Sequence, residues 1–176
     1  MTGTAAFTAL ILLVGIERVV ELVVSRRNER WSRERGGVEY GASHYRFMVL
    51  LHTGLLVGAL VEVHVLSPTM YPWLAWPMLA LVLAAQGLRW WCIRTLGPRW
   101  NTRIVVVPGL PLVTGGPYRW FRHPNYVAVV VEGFSLPLVG SAWITALVFT
   151  VLNIPLLGVR IRAENAALAT ASGGSR

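Results

Sequence analysis

Long stretches without charge constrain this chain more than any other feature of its sequence. Residues 1–16 carry no charged side chain, residues 63–88 carry none across 26 positions, and residues 133–159 carry none across 27. A helix needs about 20 mostly apolar residues to cross a hydrocarbon core of about 30 Å. One folded core in a chain of 176 residues cannot bury so much apolar surface. The stretches therefore predict an integral membrane protein and exclude a disordered chain.

The positions at which charge returns predict the number of membrane spans. We expect single spans at residues 4–24, 46–66 and 71–93. Residues 125–162 are too long for one span, and the Pro and Gly within residues 136–141 break them into a tight helical hairpin. The predicted fold class is therefore an all-α integral membrane protein with about five transmembrane helices.

Arginine placement tests this arrangement independently, because positive charge accumulates on the cytoplasmic side of a membrane. All 16 basic residues are Arg and all 8 acidic residues are Glu. The Arg residues cluster after spans one and three and in the C-terminal tail, whereas the connections at 67–70 and 140–141 carry no charge. Five spans with the N-terminus outside place every cluster inside. The net charge of +8 then reflects topology and contact with anionic lipid headgroups, and no nucleic-acid partner is expected.

The length predicts one membrane-embedded domain over residues 1–176. Within it we expect three N-terminal spans in 1–96, a functional loop and a helical hairpin in 97–168, and a small, polar, frayed tail in 169–176. Cys92 is the only cysteine, which excludes a disulfide scaffold.

A connection of thirty residues, 97–126, is the first candidate for function, because connections this long are usually functional or disordered. Its Gly and Pro residues turn the backbone and free amide and carbonyl groups for a polar ligand. The aromatic residues Trp100, Tyr118, Trp120 and Phe121 would also suit a loop that only anchors at the membrane interface. The apolar run at 104–107 favours a pocket wall.

Arg160 and Glu164 form the second candidate. They are four residues apart and so share one helix face. As a site, they offer a fork for a carboxylate and an acceptor for an amino group. As a surface ion pair, they would contribute only about 0.3–0.5 kcal/mol. Spacing alone leaves both interpretations open.

Ionisable side chains within the predicted spans are further candidates. They are Glu17, Glu21, His52, Glu62, His64 and Glu132, with His44 at a span mouth. Snorkelling accounts for Glu21, and a packed histidine is the simpler interpretation of His52. No zinc-type spacing, serine elbow or dinucleotide fingerprint occurs, so we predict no metal site and no doubly wound nucleotide fold.

The run LVTGGPYRWFRHPNY at 112–126, followed by the hairpin and an Arg-x-x-x-Glu motif at 160–164, resembles the isoprenylcysteine carboxyl methyltransferase family. The resemblance covers about residues 88–168, and its three elements occur in the family's order. The first half is similar to a bacterial branch of that family. The resemblance implies a membrane enzyme, in the bacterial inner membrane, that binds S-adenosylmethionine in a cytosol-facing pocket of its C-terminal half.

The resemblance also implies site residues by position. Cofactor contacts are expected from Leu110, Pro111, Leu112, Val113, Tyr118, His123, Pro124, Asn125, Tyr126 and Glu164. Arg160 is expected to face the acceptor and, with Glu164, to be catalytic. The family often has His where this chain has Leu110 and a second Glu where it has Asn165. A backbone contact at 110 and one carboxylate at 164 are therefore expected.

The implied acceptor is lipophilic: the carboxylate of a prenylated cysteine, or a hydroxyl of a long-chain alkylpyrone or alkylresorcinol. A carboxylate needs only an Arg to aim it, whereas a hydroxyl must lose a proton, which could recruit Glu164 or His123. Alternative functions are a phospholipid N-methyltransferase and an NADPH-dependent sterol-type reductase, because both carry a similar RHP stretch. A non-catalytic membrane scaffold would leave the long loop unexplained.

Overall fold

The computed structural model describes residues 2–173 and contains five long α-helices. Their bounds are α1 Thr2–Arg33, α2 Ala42–Leu66, α3 Pro72–Leu96, α4 Pro124–Val139 and α5 Trp143–Gly173. Two short 3₁₀ turns, Gly97–Arg99 and Gly116–Arg119, and two short strands lie in the connections. The predicted helical fold class is confirmed.

Every predicted span lies largely within one helix, and the expected break between α4 and α5 is present. Pro137 sits in the last turn of α4, and Ser141 has a left-handed φ of 59°. Both α2 and residues Trp143–Thr170 of α5 are long and apolar enough to cross a membrane, whereas α4 has only 16 residues. The helix extends to Gly173, so residues 169–173 of the predicted frayed tail are helical and 174–176 lie outside the described residues.

The apolar core lies at the end of the bundle that contains the α4–α5 turn. It is built by Phe7, Ile11, Val14, Ala59, Val63, Val82, Leu136 and Ala142. Close helix approach near this core depends on Gly133, because a Cβ at that position would overlap the ring of Phe149 on α5. At the opposite end of the bundle, the α1–α2 connection meets the α3–α4 connection, and polar residues lie there.

Glu62, one of the ionisable residues in the predicted spans, caps helix α5. Its Oε1 accepts from the amide of Ile144 at 3.0 Å, and its Oε2 accepts from the amide and the hydroxyl of Thr145, both at 2.7 Å. A carboxylate at a helix N-terminus satisfies free amides and opposes the positive end of the helix dipole. Glu62 therefore has a structural role at the turn end of the bundle.

A small antiparallel sheet joins the connection between α1 and α2 to the connection between α3 and α4. Strand β1, Val38–Tyr40, pairs with strand β2, Ile104–Val106, so that Glu39 lies opposite Val105. Arg103 reinforces this pairing through Glu39 at 2.7 Å and stacks on the ring of Tyr45. The hydrogen bond that Arg103 donates to Glu39 raises the pKa of Arg103. The sequence did not predict this sheet.

Candidate active site

A cavity of about 730 Å³ lies at the end of the bundle where these connections meet. Its walls come from the end of α1, the connection between α3 and α4, the start of α4 and the last turns of α5. This volume is within the range of about 300–1,000 Å³ found for sites of small ligands. The long connection is therefore a cavity wall, as the apolar run at 104–107 favoured.

Residues predicted as cofactor contacts or as catalytic converge on this cavity. Its lining includes Leu110, Pro111, Leu112, Val113, Tyr118, His123, Asn125, Tyr126, Arg160 and Glu164. Pro124 does not line the cavity: it is fully buried at the first position of α4, where a proline is compatible with the helix. The cavity thus gathers residues separated by more than fifty positions in the chain.

The Tyr126 hydroxyl is the centre of a hydrogen-bonded network in this wall. It donates to Glu164 Oε2 and accepts from Arg160 Nε at 2.9 Å. The His123 ring stacks on Tyr126, with ring centroids 5.4 Å apart. Its Nδ1 lies 3.6 Å from Glu164 Oε1, and its Nε2 lies 3.2 Å from Asn165 Oδ1. An imidazolium satisfies both oxygens, and the contact with Glu164 raises the pKa of His123.

Arg160 is held on three sides and is only 6 % exposed. Besides the Tyr126 contact, its Nη2 donates to the Thr102 carbonyl at 2.5 Å and its Nη1 lies 3.0 Å from the sulfur of Met48. Arg160 and Glu164 meet through the Tyr126 hydroxyl rather than as a direct pair. The interpretation as a surface ion pair is therefore wrong, because the arginine is buried and its partners come from other elements.

Tyr118 reaches the cavity from the second 3₁₀ turn. That turn passes so close to α3 that a Cβ at Gly116, whose φ is +54°, would overlap Thr95. Only glycine meets both requirements without strain. Burial, together with the neighbouring Cys92, raises the pKa of the Tyr118 phenol. Tyr118 is therefore a neutral hydrogen-bonding group in the cavity wall.

The sequence suggested two roles for the loop's aromatic residues, a pocket wall and an anchor at the membrane interface, and the structure divides the other three between buried and exposed positions. Trp100 is 3 % exposed and lines the cavity. Trp120 and Phe121 are exposed, and Trp120 packs edge-on against Trp91 at 5.5 Å. Trp120 does not line the cavity, so a direct contact between it and a ligand bound there is not supported.

Four cavity-lining residues each carry a buried side-chain polar atom without a hydrogen-bond partner within the described part of the chain. These atoms are Ser32 Oγ, Trp100 Nε1, Asn101 Oδ1 and Asn125 Oδ1. Sequence reasoning missed Ser32, Trp100 and Asn101 as cavity-lining residues. One signal was present: the polar residues Ser25, Asn28 and Ser32 recur at helical spacing on α1, and all three are buried.

A cluster of ionic side chains lies apart from the cavity, between α1, α3 and α4. Arg89 donates to Glu132 and lies 3.6 Å from Glu21. Arg18 lies 3.0 Å from Glu21 and 3.8 Å from Glu132. We call these four residues the ionic cluster. Its members do not line the cavity, and they connect α1 to the other two helices.

Two more of the ionisable residues have local partners. Glu17 accepts hydrogen bonds from Gln86 and, at 2.5 Å, from the indole of Trp90. These two bonds connect α1 to α3, as the ionic cluster does. His52 Nδ1 lies 2.8 Å from the Met48 carbonyl, and its ring packs edge-on against Phe149. His52 is therefore a packed histidine.

The family model that matches the chain covers most of this machinery. Residues 78–170 match the Isoprenylcysteine carboxyl methyltransferase (ICMT) family. The chain belongs to this family. The match includes the long connection, α4 and α5 to Thr170, and it confirms the recognition made from the motifs. Membership of the family supports a methyltransferase activity at the level of the family as a whole. The apolar helices agree with a membrane protein.

Two bacterial relatives are similar to the chain over most of its length. It is 39% identical over 163 residues to an uncharacterized protein, YpbQ, of Bacillus subtilis (strain 168), covering 92% of this chain and 96% of the relative. It is 25% identical over 152 residues to an uncharacterized protein of Haemophilus influenzae, covering 86% of this chain and 88% of that relative. The similarity therefore extends to the N-terminal helices and is consistent with a bacterial branch of the family.

Proposed function

We propose that the protein is an S-adenosylmethionine-dependent O-methyltransferase acting on a lipophilic acceptor. The observation that carries the proposal is the hydrogen-bonded network of Arg160, Tyr126, Glu164 and His123, which lines a cavity of about 730 Å³. All four residues lie within the segment that matches the family.

The cavity's polar groups fit such a cofactor. S-adenosylmethionine, when bound, supplies an electrophilic methyl group on a sulfonium. Glu164 suits cationic groups, and His123 suits a carboxylate. The ring of Tyr118 offers an aromatic face to a cation. Asn125 lines the same cavity.

Methyl transfer from sulfur to oxygen is an in-line displacement, so the protein contributes mainly by positioning the reactants and excluding water. Arg160 is suited to aim an acceptor oxygen, because the sulfur of Met48 is the only partner of its Nη1 among the described residues. A carboxylate acceptor needs no base. A hydroxyl acceptor must lose its proton to a base, and Glu164 is the carboxylate that lines the described cavity and could serve as this base.

We further propose that all five helices cross the bacterial inner membrane, with the N-terminus outside and the cavity on the cytoplasmic side. Every Arg-rich connection would then face the cytoplasm. A prenylated or long-chain acceptor would reach the cavity from the bilayer. Membrane lipid is the surrounding partner in this proposal, and neither nucleic acid nor a metal ion takes part.

The test is transfer from S-adenosylmethionine that carries an isotopic label in its methyl group. The purified full chain in lipid would receive prenylcysteine and alkylresorcinol acceptors in parallel, and the lipid product would be treated with base. A carboxyl methyl ester releases labelled methanol, whereas an aryl methyl ether retains its label. Label on nitrogen, or calorimetric binding of NADPH without binding of S-adenosylmethionine, would contradict the proposal.

A further inference from the structure

Two oxygen atoms from different elements fix the orientation of the Arg160 guanidinium group. Its Nε donates to the Tyr126 hydroxyl at 2.9 Å, and its Nη2 donates to the Thr102 carbonyl at 2.5 Å. Its Nη1 lies 3.0 Å from the sulfur of Met48, which is a weak acceptor that an acceptor oxygen can replace. The direction in which Nη1 points therefore depends on where Tyr126 and Thr102 hold the rest of the group.

These two supports of Arg160 differ in how firmly their own backbone is held. Tyr126 belongs to the first turn of helix α4. Thr102 lies in the α3–α4 connection, two residues before strand β2, and belongs to no helix or strand. Backbone in such a connection has no ladder of hydrogen bonds to fix its carbonyls. The position of the Thr102 carbonyl must therefore be set by contacts with neighbouring elements.

The two N-terminal helices supply these contacts. Ser25 Oγ, on α1, accepts from the Thr102 amide at 2.9 Å and lies 2.9 Å from the Thr102 hydroxyl oxygen. The Tyr45 hydroxyl, on α2, lies 3.2 Å from the same Thr102 oxygen. Ser25 is buried. Thr102 is thus held through both its amide and its side chain, with its carbonyl directed at Arg160.

The residues on either side of Thr102 are attached to the same two helices. Asn28, on the same buried face of α1, donates to the Trp100 carbonyl at 2.7 Å. The guanidinium of Arg103 stacks on the ring of Tyr45, 4.5 Å from its centroid. The connection is therefore anchored to α1 and α2 immediately before and immediately after Thr102.

The residues that hold Thr102 have no place in the cavity itself. Ser25, Tyr45 and Thr102 do not line the described cavity, whereas Arg160 does. A ligand in this cavity would therefore be affected by them only through Arg160. Ser25 and Tyr45 also lie outside the segment 78–170 that matches the family. Their contacts give α1 and α2 a way to influence a reaction centre built by the C-terminal half.

We propose that Ser25, Tyr45 and Thr102 are positioning residues that orient Arg160 toward the acceptor. The inference rests on the proposed function, because it requires the acceptor-aiming role of Arg160. The Thr102 carbonyl fixes Nη2 and so determines where Nη1 presents its protons to an acceptor oxygen. When the bonds to Thr102 are lost, Arg160 samples orientations that leave the acceptor out of line for methyl transfer.

The first test separates alignment of the acceptor from binding of the cofactor. Ser25→Ala removes both bonds to Thr102, and Thr102→Val removes the hydroxyl but keeps the amide and the carbonyl. The acceptor is prenylcysteine or alkylresorcinol, whichever the purified full chain in lipid methylates. Each variant should lower kcat about tenfold and leave the calorimetric affinity for S-adenosylhomocysteine within about twofold of the unmodified chain.

The matched control for these variants is Ser135→Ala. Ser135 is a buried serine of α4 that donates within its own helix, to the Val131 carbonyl at 2.7 Å, and it does not line the cavity. Its replacement should leave both kcat and cofactor affinity unchanged. Circular dichroism checks the fold of every variant. If Ser25→Ala or Thr102→Val fails to fold, the other variant carries the test.

A double-variant cycle provides a readout that a purely structural role would not change. When Arg160 is already replaced by alanine, Ser25→Ala should lower the residual kcat by less than about twofold, because its effect passes through the missing guanidinium. Equal losses in both backgrounds would show that Ser25 acts elsewhere and would overturn the proposal. A loss of cofactor affinity in step with kcat would also overturn it, because that pattern marks a general anchor of the fold.

The order of the Arg160 side chain is measurable without cofactor or acceptor. In the full chain with isotope-labelled arginine, the Nε–H signal in the NMR spectrum that disappears in Arg160→Ala belongs to this residue. Burial and the bond to Tyr126 should protect this proton from exchange with water. Exchange should be about tenfold faster in Ser25→Ala and Thr102→Val, and unchanged in Ser135→Ala.

The two kinds of measurement separate failure of this inference from failure of the proposed function. If the unmodified chain methylates neither acceptor, the proposed function fails, and faster exchange in the two variants would still show that these residues orient Arg160. If the unmodified chain is active but exchange and kcat are unchanged in Ser25→Ala and Thr102→Val, the proposed function stands and the positioning role is wrong.

Discussion

Tyr126 illustrates how one residue organises the proposed active site. Its hydroxyl joins Arg160 to Glu164, and its ring supports His123. Two residues that look like an independent helical pair in the sequence are therefore parts of one network. Their proposed roles still differ, because Glu164 suits the cofactor and Arg160 the acceptor.

We predict that Glu164→Gln weakens binding of S-adenosylhomocysteine about tenfold or more, because the charged acceptor is lost. Arg160→Ala should lower kcat by at least about 100-fold with a smaller loss of cofactor affinity. Calorimetry and methyl-transfer kinetics measure the two effects. Arg162→Ala is the control, since Arg162 is exposed on the same helix. An equal loss of cofactor affinity in both site variants would show one structural unit without separate roles.

His123 predicts a pH dependence at the residue scale. Its pKa is raised above the ordinary 6.5, chiefly by the hydrogen bond to Glu164. A folded-state pKa raised in this way gives a stabilisation that is fully present below pH 6.5 and is lost as pH rises through the raised value. The free energy of unfolding should therefore decrease over that alkaline window. Denaturant titrations of the unmodified chain and of His123→Gln test this: the variant should lack the decrease, and an identical pH profile in both would contradict the assignment.

At the scale of elements, the ionic cluster joins α1 to α3 and α4 by long polar side chains. Arg89 and Glu132 are each 5 % exposed, and Glu21 is 4 % exposed. Removing one partner of a buried pair leaves the other charged and unpaired in surroundings of low dielectric constant. The cluster is therefore a point at which the packing of α1 is vulnerable.

Arg89→Ala should lower the free energy of unfolding by about 3–5 kcal/mol, because it leaves Glu132 without its closest cation. Denaturant unfolding of the purified chain measures this loss. Arg94→Ala, on the same helix but exposed, should change stability by less than about 0.5 kcal/mol. Equal stability of the two variants would mean that the cluster does not hold α1.

The start of α5 depends in the same way on a residue of another helix. Glu62→Ala should lower the free energy of unfolding by about 1–2 kcal/mol, because the amides of Ile144 and Thr145 lose their acceptor. Thermal unfolding provides the measurement, with exposed Glu34→Ala as the control. An unchanged melting temperature in the Glu62 variant would show that these amides find other partners.

At the scale of the whole molecule, the charge distribution predicts an orientation. Glu34 lies in an Arg-rich connection, whereas exposed Thr69 lies in a connection without charge. In a Cys92→Ser background, Glu34→Cys should react with a membrane-impermeant maleimide only after the cells are opened. Thr69→Cys should react on intact cells. Cys92 is buried, so the unmodified chain serves as the unlabelled control. Reaction of both positions from the same side would refute the five-span topology.

Local properties of the sequence determined the helices, the break between α4 and α5, and the family. Hydropathy acts over a single span, and Pro and Gly act within a turn, so these features can be deduced without knowing which segments meet. The motifs at 112–126 and 160–164 also identified residues that the cavity brings together. Their catalytic and cofactor-binding roles remain predictions.

Only the tertiary structure decided which distant residues meet. Strand β1 pairs with β2 across more than sixty positions, Glu62 caps a helix 82 residues away, and Ser32 faces the same cavity as Trp100. No periodic signal in the sequence shows which of these partners meet, because each partner has an ordinary residue type for its own segment. Their geometry depends on how the helices pack, and packing brings together side chains whose separation along the chain carries no information about contact.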